Sequence, residues 1–409
     1  MTTARQLEYY TLNNGLRVVC EQVPSKVEYF GVAVNAGSRD EAQHLHGLAH
    51  FVEHTLFKGT TRRRACHIIN RMEAIGGELN AFTSKEETNV YSIFPQGHLP
   101  RAAELIADLL QNSVFPAKEL DKEREVVREE IDSYLDTPSE AVFDEFENLF
   151  FKGSQLGHNI LGEAGNLAAF SPEVCRHYIT THYTPDRMVA FYRGAGPPSR
   201  VKETIERYLG CIPASPSSLN RTPPEKRAVF NERRDIDSHQ AHCVMGASVP
   251  GIYSDERIAL GLLTNILGGP GMNSRLNVAL RERRGLVYSV DASTTMMSDC
   301  GLFTIYFGCD PTDAERCTRL VSNELERLST QPLTQRALNA AKQQYLGQLV
   351  VASDNREQMA LNSARATLYF GKVPTTESVR ERINALTSED LLHSARHLHP
   401  SRFSRLTFT

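Results

Sequence analysis

The sequence predicts an α+β protein built from two homologous halves. Three observations carry this. Stretches of strand and helix character alternate along the chain, one Pro- and Ser-rich segment divides it nearly in two, and similar residues recur on either side at a near-constant offset. The 409 residues exceed the usual range of about 100–200 for one domain. An apolar fraction of 41% allows large cores, and a charged fraction of 23% suits a water-exposed surface. With a net charge of -4 and no large basic block, nucleic acid is excluded as a main partner.

Leu16-Arg17-Val18-Val19-Cys20 reads as a strand after the turn residues Asn13-Asn14-Gly15, and residues 30–36 read as another. Amphipathic periodicity predicts helices over 45–57, 63–76, 100–113 and 117–135. Asn89-Val90-Tyr91-Ser92-Ile93-Phe94 is strand-like. Residues 212–226, with Pro213, Pro216, Pro223 and Pro224, are the expected linker between halves 1–211 and 227–409. Tyr183-Thr184-Pro185-Asp186-Arg187-Met188 resembles Leu398-His399-Pro400-Ser401-Arg402-Phe403. Leu120 aligns with Leu333, and Glu53 and His54 fall opposite Thr264 and Asn265; the offsets run from 211 to 215. A fixed period is the trace of duplication. Under this alignment the second half lacks the His and Glu residues of the first.

Other features read more plainly. The triplet Arg62-Arg63-Arg64 is expected as a solvated helix start. The eight cysteines are scattered, without a Cys-x-x-Cys pair, and read as reduced, mostly buried thiols. Residues 1–14 are polar and show no secretory signal. No run of about 18 apolar residues occurs, so no membrane association is expected, and the expected compartment is the cytoplasm.

The chemistry concentrates at His50-Phe51-Val52-Glu53-His54. On a helix, His50 and His54 point within roughly 40° of each other, and Glu53 lies about 60° to the other side of His50. Two imidazoles one turn apart can bind one ion, with the carboxylate beside it free to act on water. With 14 His in 409 residues, chance gives on the order of 0.03 such pentapeptides per chain, and the pattern is a zinc signature. A catalytic zinc site needs a third protein ligand and one open position. In the helix after Leu120, the apolar stripe Leu120, Val127, Ile131 and Tyr134 leaves Glu125 and Glu129 on the solvated side. Glu123 and Glu130 fall within about 60° of Val127 and face inward. Helix geometry does not choose between them.

Gly47-Leu48-Ala49-His50-Phe51-Val52-Glu53-His54 followed by Phe57-Lys58-Gly59-Thr60 resembles the inverted-zincin metallopeptidases. That family includes pitrilysin, insulin-degrading enzyme and the mitochondrial processing peptidase, and the chain is similar to its short, bacterial-type, two-domain members. The resemblance implies one zinc ion per chain, held by His50, His54 and Glu130, with Glu53 as general base and Glu123 as a catalytic-site acid supporting a ligand. It implies that Gly76-Gly77-Glu78-Leu79-Asn80-Ala81-Phe82-Thr83-Ser84 forms the active-site edge strand, with Asn80, Ala81, Phe82 and Thr83 binding substrate by strand addition. In the second half, Leu280-Arg281-Glu282-Arg283-Arg284-Gly285-Leu286-Val287-Tyr288-Ser289 matches the family's Arg/Tyr pair, so Arg281 and Tyr288 are expected to contact substrate and its carbonyl. Each half is then expected to be sandwich-like, a mainly antiparallel or mixed sheet packed with helices. The implied protein is a zinc endopeptidase cleaving unfolded peptides in the enclosed chamber of a clamshell dimer. A homodimer is the expected partner arrangement, with a heterodimer with a non-catalytic homologue as the alternative. A scaffold subunit with this fold would be expected to have lost the metal residues, which are intact here.

Overall fold

The computed structural model describes residues 6–215, 219–236 and 238–409. Residues 1–5 of the polar N-terminus and 216–218 of the expected linker, Pro216 among them, lie outside the described residues. The chain forms two compact units. Of the described residues, the first comprises 6–131, 158–215, 219–221 and 353–373, and the second 132–157, 222–236, 238–352 and 374–409.

The first unit is built on a six-stranded mixed sheet of β1 (Gln6–Thr11), β2 (Arg17–Gln22), β3 (Val27–Val34), β4 (Glu78–Thr83), β5 (Thr88–Pro95) and β6 (Met188–Gly194), in the order β1-β2-β6-β3-β5-β4. Among the described residues only β2 and β6 pair in parallel. The second unit carries β7 (Asn231–Arg234), β8 (Ala241–Val249), β9 (Val287–Met296), β10 (Gly301–Cys309) and β11 (Ser404–Phe408), in the order β7-β11-β8-β10-β9. Here only β7 and β11 are parallel. The second sheet thus repeats the first, strand for strand and sense for sense, without β1.

The helices are α1 (Leu48–Leu56), α2 (Ala65–Glu73), α3 (Leu99–Asn112), α4 (Ala117–Leu135), α5 (Pro138–Phe150), α6 (Pro172–His182), α7 (Pro198–Leu209), α8 (Arg257–Gly268), α9 (Ala314–Thr330), α10 (Gln335–Ala352), α11 (Arg356–Phe370), α12 (Thr376–Ala385) and α13 (Ser388–Ala395). The first core joins Val18, Phe30 and Val32 of the sheet to Phe51 and Val52 of α1 and Leu105 and Ile106 of α3. Leu260 and Leu263 of α8, Phe303 and Ile305 of β10 and Val321 of α9 do the same in the second unit. A further cluster packs Val142 and Phe146 of α5 onto Val244 of β8 and Leu406 of β11. All nine residues of β10 are buried. A strand with helices on both faces is apolar throughout rather than alternating. Fully burying a side chain such as Phe146 contributes about 1.5–3 kcal/mol.

The sequence places one boundary, at 212–226, and the chain does pass between units there, from Arg221 to Thr222. It also passes after Ile131, Gly157, Ala352 and Val373. The reason is an exchange. α5, from the first half of the sequence, packs on β8 and β11, and α11, from the second half, packs on β3 and β6. Two smaller expectations are corrected. Tyr134 is 40% exposed, because α4 leaves the first unit after Ile131. Arg63 is not solvated. It pairs with Glu104 and Asp108 of α3, while Arg62 and Arg64 remain exposed. Five of the eight cysteines are buried and all are free, Cys66 and Cys211 being exposed and Cys300 intermediate. Among the described residues no helix is long and apolar enough to cross a membrane.

Candidate metal centre

The centre forms where α1, α4 and β4 meet in the first unit. α1 starts at Gly47, which adopts φ +100°, a conformation L side chains rarely take. A Cβ there would also lie 2.6 Å from the Leu161 carbonyl oxygen. The fully buried Glu41 carboxylate accepts the N–H groups of Gly47 at 2.9 Å and Ala49 at 2.6 Å, capping the helix that carries both histidines. Burial pushes the Glu41 carboxyl well above the usual carboxylate range, against the two N–H bonds.

His50 Nε2 and His54 Nε2 lie 3.8 Å and 3.5 Å from Glu130 Oε2 on α4. The ligand atoms of these three residues all fall within 4.8 Å of one another, and they are the one such group of His, Cys and acidic residues among those described. A tetrahedral zinc site with ~2.1 Å bonds sets its ligand atoms about 3.4 Å apart. The observed spacings are close to that, and two imidazoles with one carboxylate are a zinc donor set that keeps a fourth position open. His50 is 8% exposed, and its Nδ1 has no partner among the described residues. Burial, helped by neighbouring His54, pushes its pKa down to about 3, so the imidazole stays neutral with a lone pair to donate. Of the two inward candidates on α4, Glu130 therefore joins the histidines.

Glu123 does something else. Its Oε1 lies 3.0 Å from His54 Nδ1 and its Oε2 lies 2.6 Å from Lys58 Nζ. Burial opposes its ionisation, but the bonds to His54 and Lys58 win and hold its pKa below the usual range. An ionised Glu123 can only accept, so His54 Nδ1 donates and Nε2 is turned toward Glu130. Burial alone would lower the His54 pKa; the bond to Glu123 and the nearby carboxylates raise it. Sequence reading assigns no role to Lys58. Its signal was the spacing of four from His54.

Glu53 stays outside the three-residue group. Burial raises its pKa, and the Thr83 hydroxyl, donating to Glu53 Oε2 at 2.6 Å, works the other way. Thr83 is thus bonded to Glu53, a contact the strand motif alone did not disclose. Glu53 and His54 open onto a cavity of about 370 Å³, lined further by Asn80 and Ala81 of β4 and by Phe57, Ile69 and Leu79. β4 ends the sheet, paired only to β5, with Asn80 opposite Tyr91 and Phe82 opposite Asn89. Phe82 is 38% exposed and meets the Tyr91 ring edge-on at 6.3 Å. The turn after β4 is anchored by Lys85 Nζ, which donates to the His158 carbonyl, and by the buried Arg39–Glu86 pair at 2.6 Å.

Arg281 and Tyr288 belong to the second unit. Arg281 sits in a π-helical turn, Asn277–Glu282, and Tyr288 is the second residue of β9. Both are exposed, and they line one cavity of about 420 Å³.

Two family models match the chain. One, described as insulinase (peptidase family M16), covers residues 17–164. The other, described as the peptidase M16 inactive domain, covers residues 169–345. An uncharacterized zinc protease of Bacillus subtilis is 32% identical over 393 residues, spanning 96% of this chain and 95% of that protein. A probable mitochondrial-processing peptidase subunit beta of Arabidopsis thaliana is 29% identical over 399 residues, spanning 94% of this chain and 74% of that protein. The crystal structure of a protease from Helicobacter pylori shares the fold, with a TM-score of 0.92 at 21% identity, covering 99% of this chain and 100% of that one.

Proposed function

Because the chain belongs to peptidase family M16, the insulinase family, we propose that it is a zinc-dependent endopeptidase acting on internal bonds of unfolded peptides. The observation that carries this is the convergence of His50, His54 and Glu130 with Glu53 beside them but outside the group. In this reading those three residues hold one zinc ion. Zinc in such a site supplies Lewis acidity toward water and the peptide carbonyl. Glu53 accepts the proton of the attacking water and returns it to the leaving amine. Thr83 holds Glu53 in place through its 2.6 Å bond. Glu123 and Lys58 hold His54. The free edge of β4 takes the peptide as an added strand through main-chain hydrogen bonds, with Asn80 to Thr83 alongside the scissile bond.

Arg281 orients the peptide and Tyr288 stabilises the developing oxyanion. We assign these two roles to a second copy of the chain, in a homodimeric clamshell with two equivalent sites and an enclosed chamber. Tyr288 is 80% exposed, which leaves it available for such a role. A heterodimer with a non-catalytic homologue is the second reading, favoured by the likeness to a protein named as a processing-peptidase subunit. The proposed compartment is the cytoplasm, where eight free cysteines remain reduced.

The test is cleavage of a quenched peptide library by the purified chain, with product masses and a chelator control. Internal cleavage that stops on chelation and returns with zinc is expected. Cleavage indifferent to chelation would sink the assignment. Sizing the active species separates the two assembly readings.

A further inference from the structure

The second unit contains a further cavity that shares one lining residue, Ser274, with the cavity of Arg281 and Tyr288. It measures about 260 Å³ and lies against α8 and α10, the counterparts of α1 and α4. Arg275 is its one charged lining residue. Among the described residues the guanidinium makes no hydrogen bond or ion pair. Burial lowers its pKa; Glu324 works the other way from beyond ion-pair distance, and Arg327 works with burial. Beside it, Ser274 is 4% exposed, and its Oγ has no partner.

The amides lining or flanking this cavity are different, because they satisfy one another. Asn273 Nδ2 donates to Gln344 Oε1 at 2.9 Å, and Gln344 Nε2 donates back at 3.1 Å. Asn265 Nδ2 donates to Gln348 Oε1 at 2.5 Å. Two donors therefore lack an acceptor, and they sit next to each other in the chain. The rest of the wall is apolar: Ile266, Leu333 and the α10 alanines.

We propose that this cavity binds a carboxylate carried on a small aliphatic body. The carboxylate pairs with the Arg275 guanidinium, whose planar fork matches it, and accepts from the Ser274 hydroxyl. The aliphatic part lies against Ile266 and Leu333. A cavity of about 260 Å³ is below the drug-sized range of about 300–1,000 Å³ and suits a group the size of one residue. That chemistry has two sources, a free aliphatic acid or the C-terminus of a peptide.

Calorimetric titration of the zinc-loaded chain with N-acetyl-leucine, N-acetyl-leucine amide and inorganic phosphate tests this. The acid is expected to bind at least tenfold more tightly than either other probe. Arg275→Met and Ala337→Leu are each expected to weaken it at least tenfold. Ala337 is exposed on α10 and lines the cavity, so its variant carries the test if Arg275→Met does not fold. The same affinity is expected in His50→Ala, which separates this site from the metal centre. Equal binding of acid and amide overturns the proposal, as does an acid affinity indifferent to Ala337→Leu or abolished by His50→Ala. A leucine-terminated pentapeptide and its C-terminal amide, titrated into Glu53→Gln, identify the source. Tight binding of the free-acid peptide assigns the site to peptide termini. Binding of N-acetyl-leucine alone assigns it to free acids, and binding of neither acid refutes it.

Discussion

The α1/β4 corner of the first unit and the α8/β9 corner of the second share a framework and differ in chemistry. In the first, Thr83 bonds to Glu53 at 2.6 Å, and in the second Thr294 bonds to Thr264 at 2.7 Å; both contacts span 30 residues. One helix residue on, His54 meets two carboxylates, at 3.0 Å and 3.5 Å, where Asn265 meets the Gln348 amide at 2.5 Å. The same backbone thus supports a charged cluster in one place and an amide pair in the other. Sheet order sets where side chains converge; a few side chains decide whether the meeting place can hold a metal. Buried charges need partners, which accounts for Glu123 and Lys58 beside His54. Amides satisfy each other without them.

Copying the second corner into the first should have the largest effect. His54→Asn is expected to abolish zinc binding and with it peptide cleavage, since two of three ligands do not hold the ion. Metal analysis of the folded variant checks it, and retained zinc would contradict the account. Glu123→Gln should be next in size. It removes the charge that fixes the His54 ring, and a loss of about 10–100-fold in metal affinity is expected. Competition with a chromophoric chelator measures this directly.

Thr83→Val should act more gently, through pH. Burial raises the Glu53 pKa and the Thr83 bond lowers it. Without that bond the pKa rises further, so the acid limb of kcat/KM should move to higher pH. A loss of several-fold on the acid limb is expected, with little change on the plateau above it. An unmoved acid limb would remove Thr83 from the mechanism.

The smallest effect concerns stability behind α1. His46 and His158 stack at 3.6 Å, and His158 Nε2 lies 3.3 Å from Glu41, the cap of α1. Burial first, and neighbouring positive charge second, push both down to about 4. Unfolded, each titrates near ~6.5. At these two groups the unfolded chain therefore binds more protons, and their contribution to stability should fall as pH drops from about 6.5 to about 4. A Tm profile over that range should flatten in His158→Gln, and an unchanged slope would place the acid sensitivity elsewhere.

Much of this was legible in the chain. The four helices expected over 45–57, 63–76, 100–113 and 117–135 are α1 to α4, the first two shorter at both ends, the third one residue earlier and the fourth unchanged, because their apolar periodicity matches the face they bury. The inward side of α4 was legible too: Glu123 is buried, while Glu125 and Glu129 are exposed. Choosing between Glu123 and Glu130 needed more than periodicity, since both flank Val127. The α5 and α11 exchange left no mark, because a helix shows which face it buries and not which sheet receives it. Arg63 was missed for a similar reason. Its partners, Glu104 and Asp108, come from a helix some 40 residues on.

In the proposed peptidase, one zinc held by His50, His54 and Glu130 works with Glu53. Zinc content and peptide cleavage measured together on the native chain and on Glu53→Gln test it most directly. One zinc per chain is expected in both proteins, with cleavage in the native chain alone. Cleavage surviving in zinc-loaded Glu53→Gln, or a cleaving native chain without zinc, would contradict it.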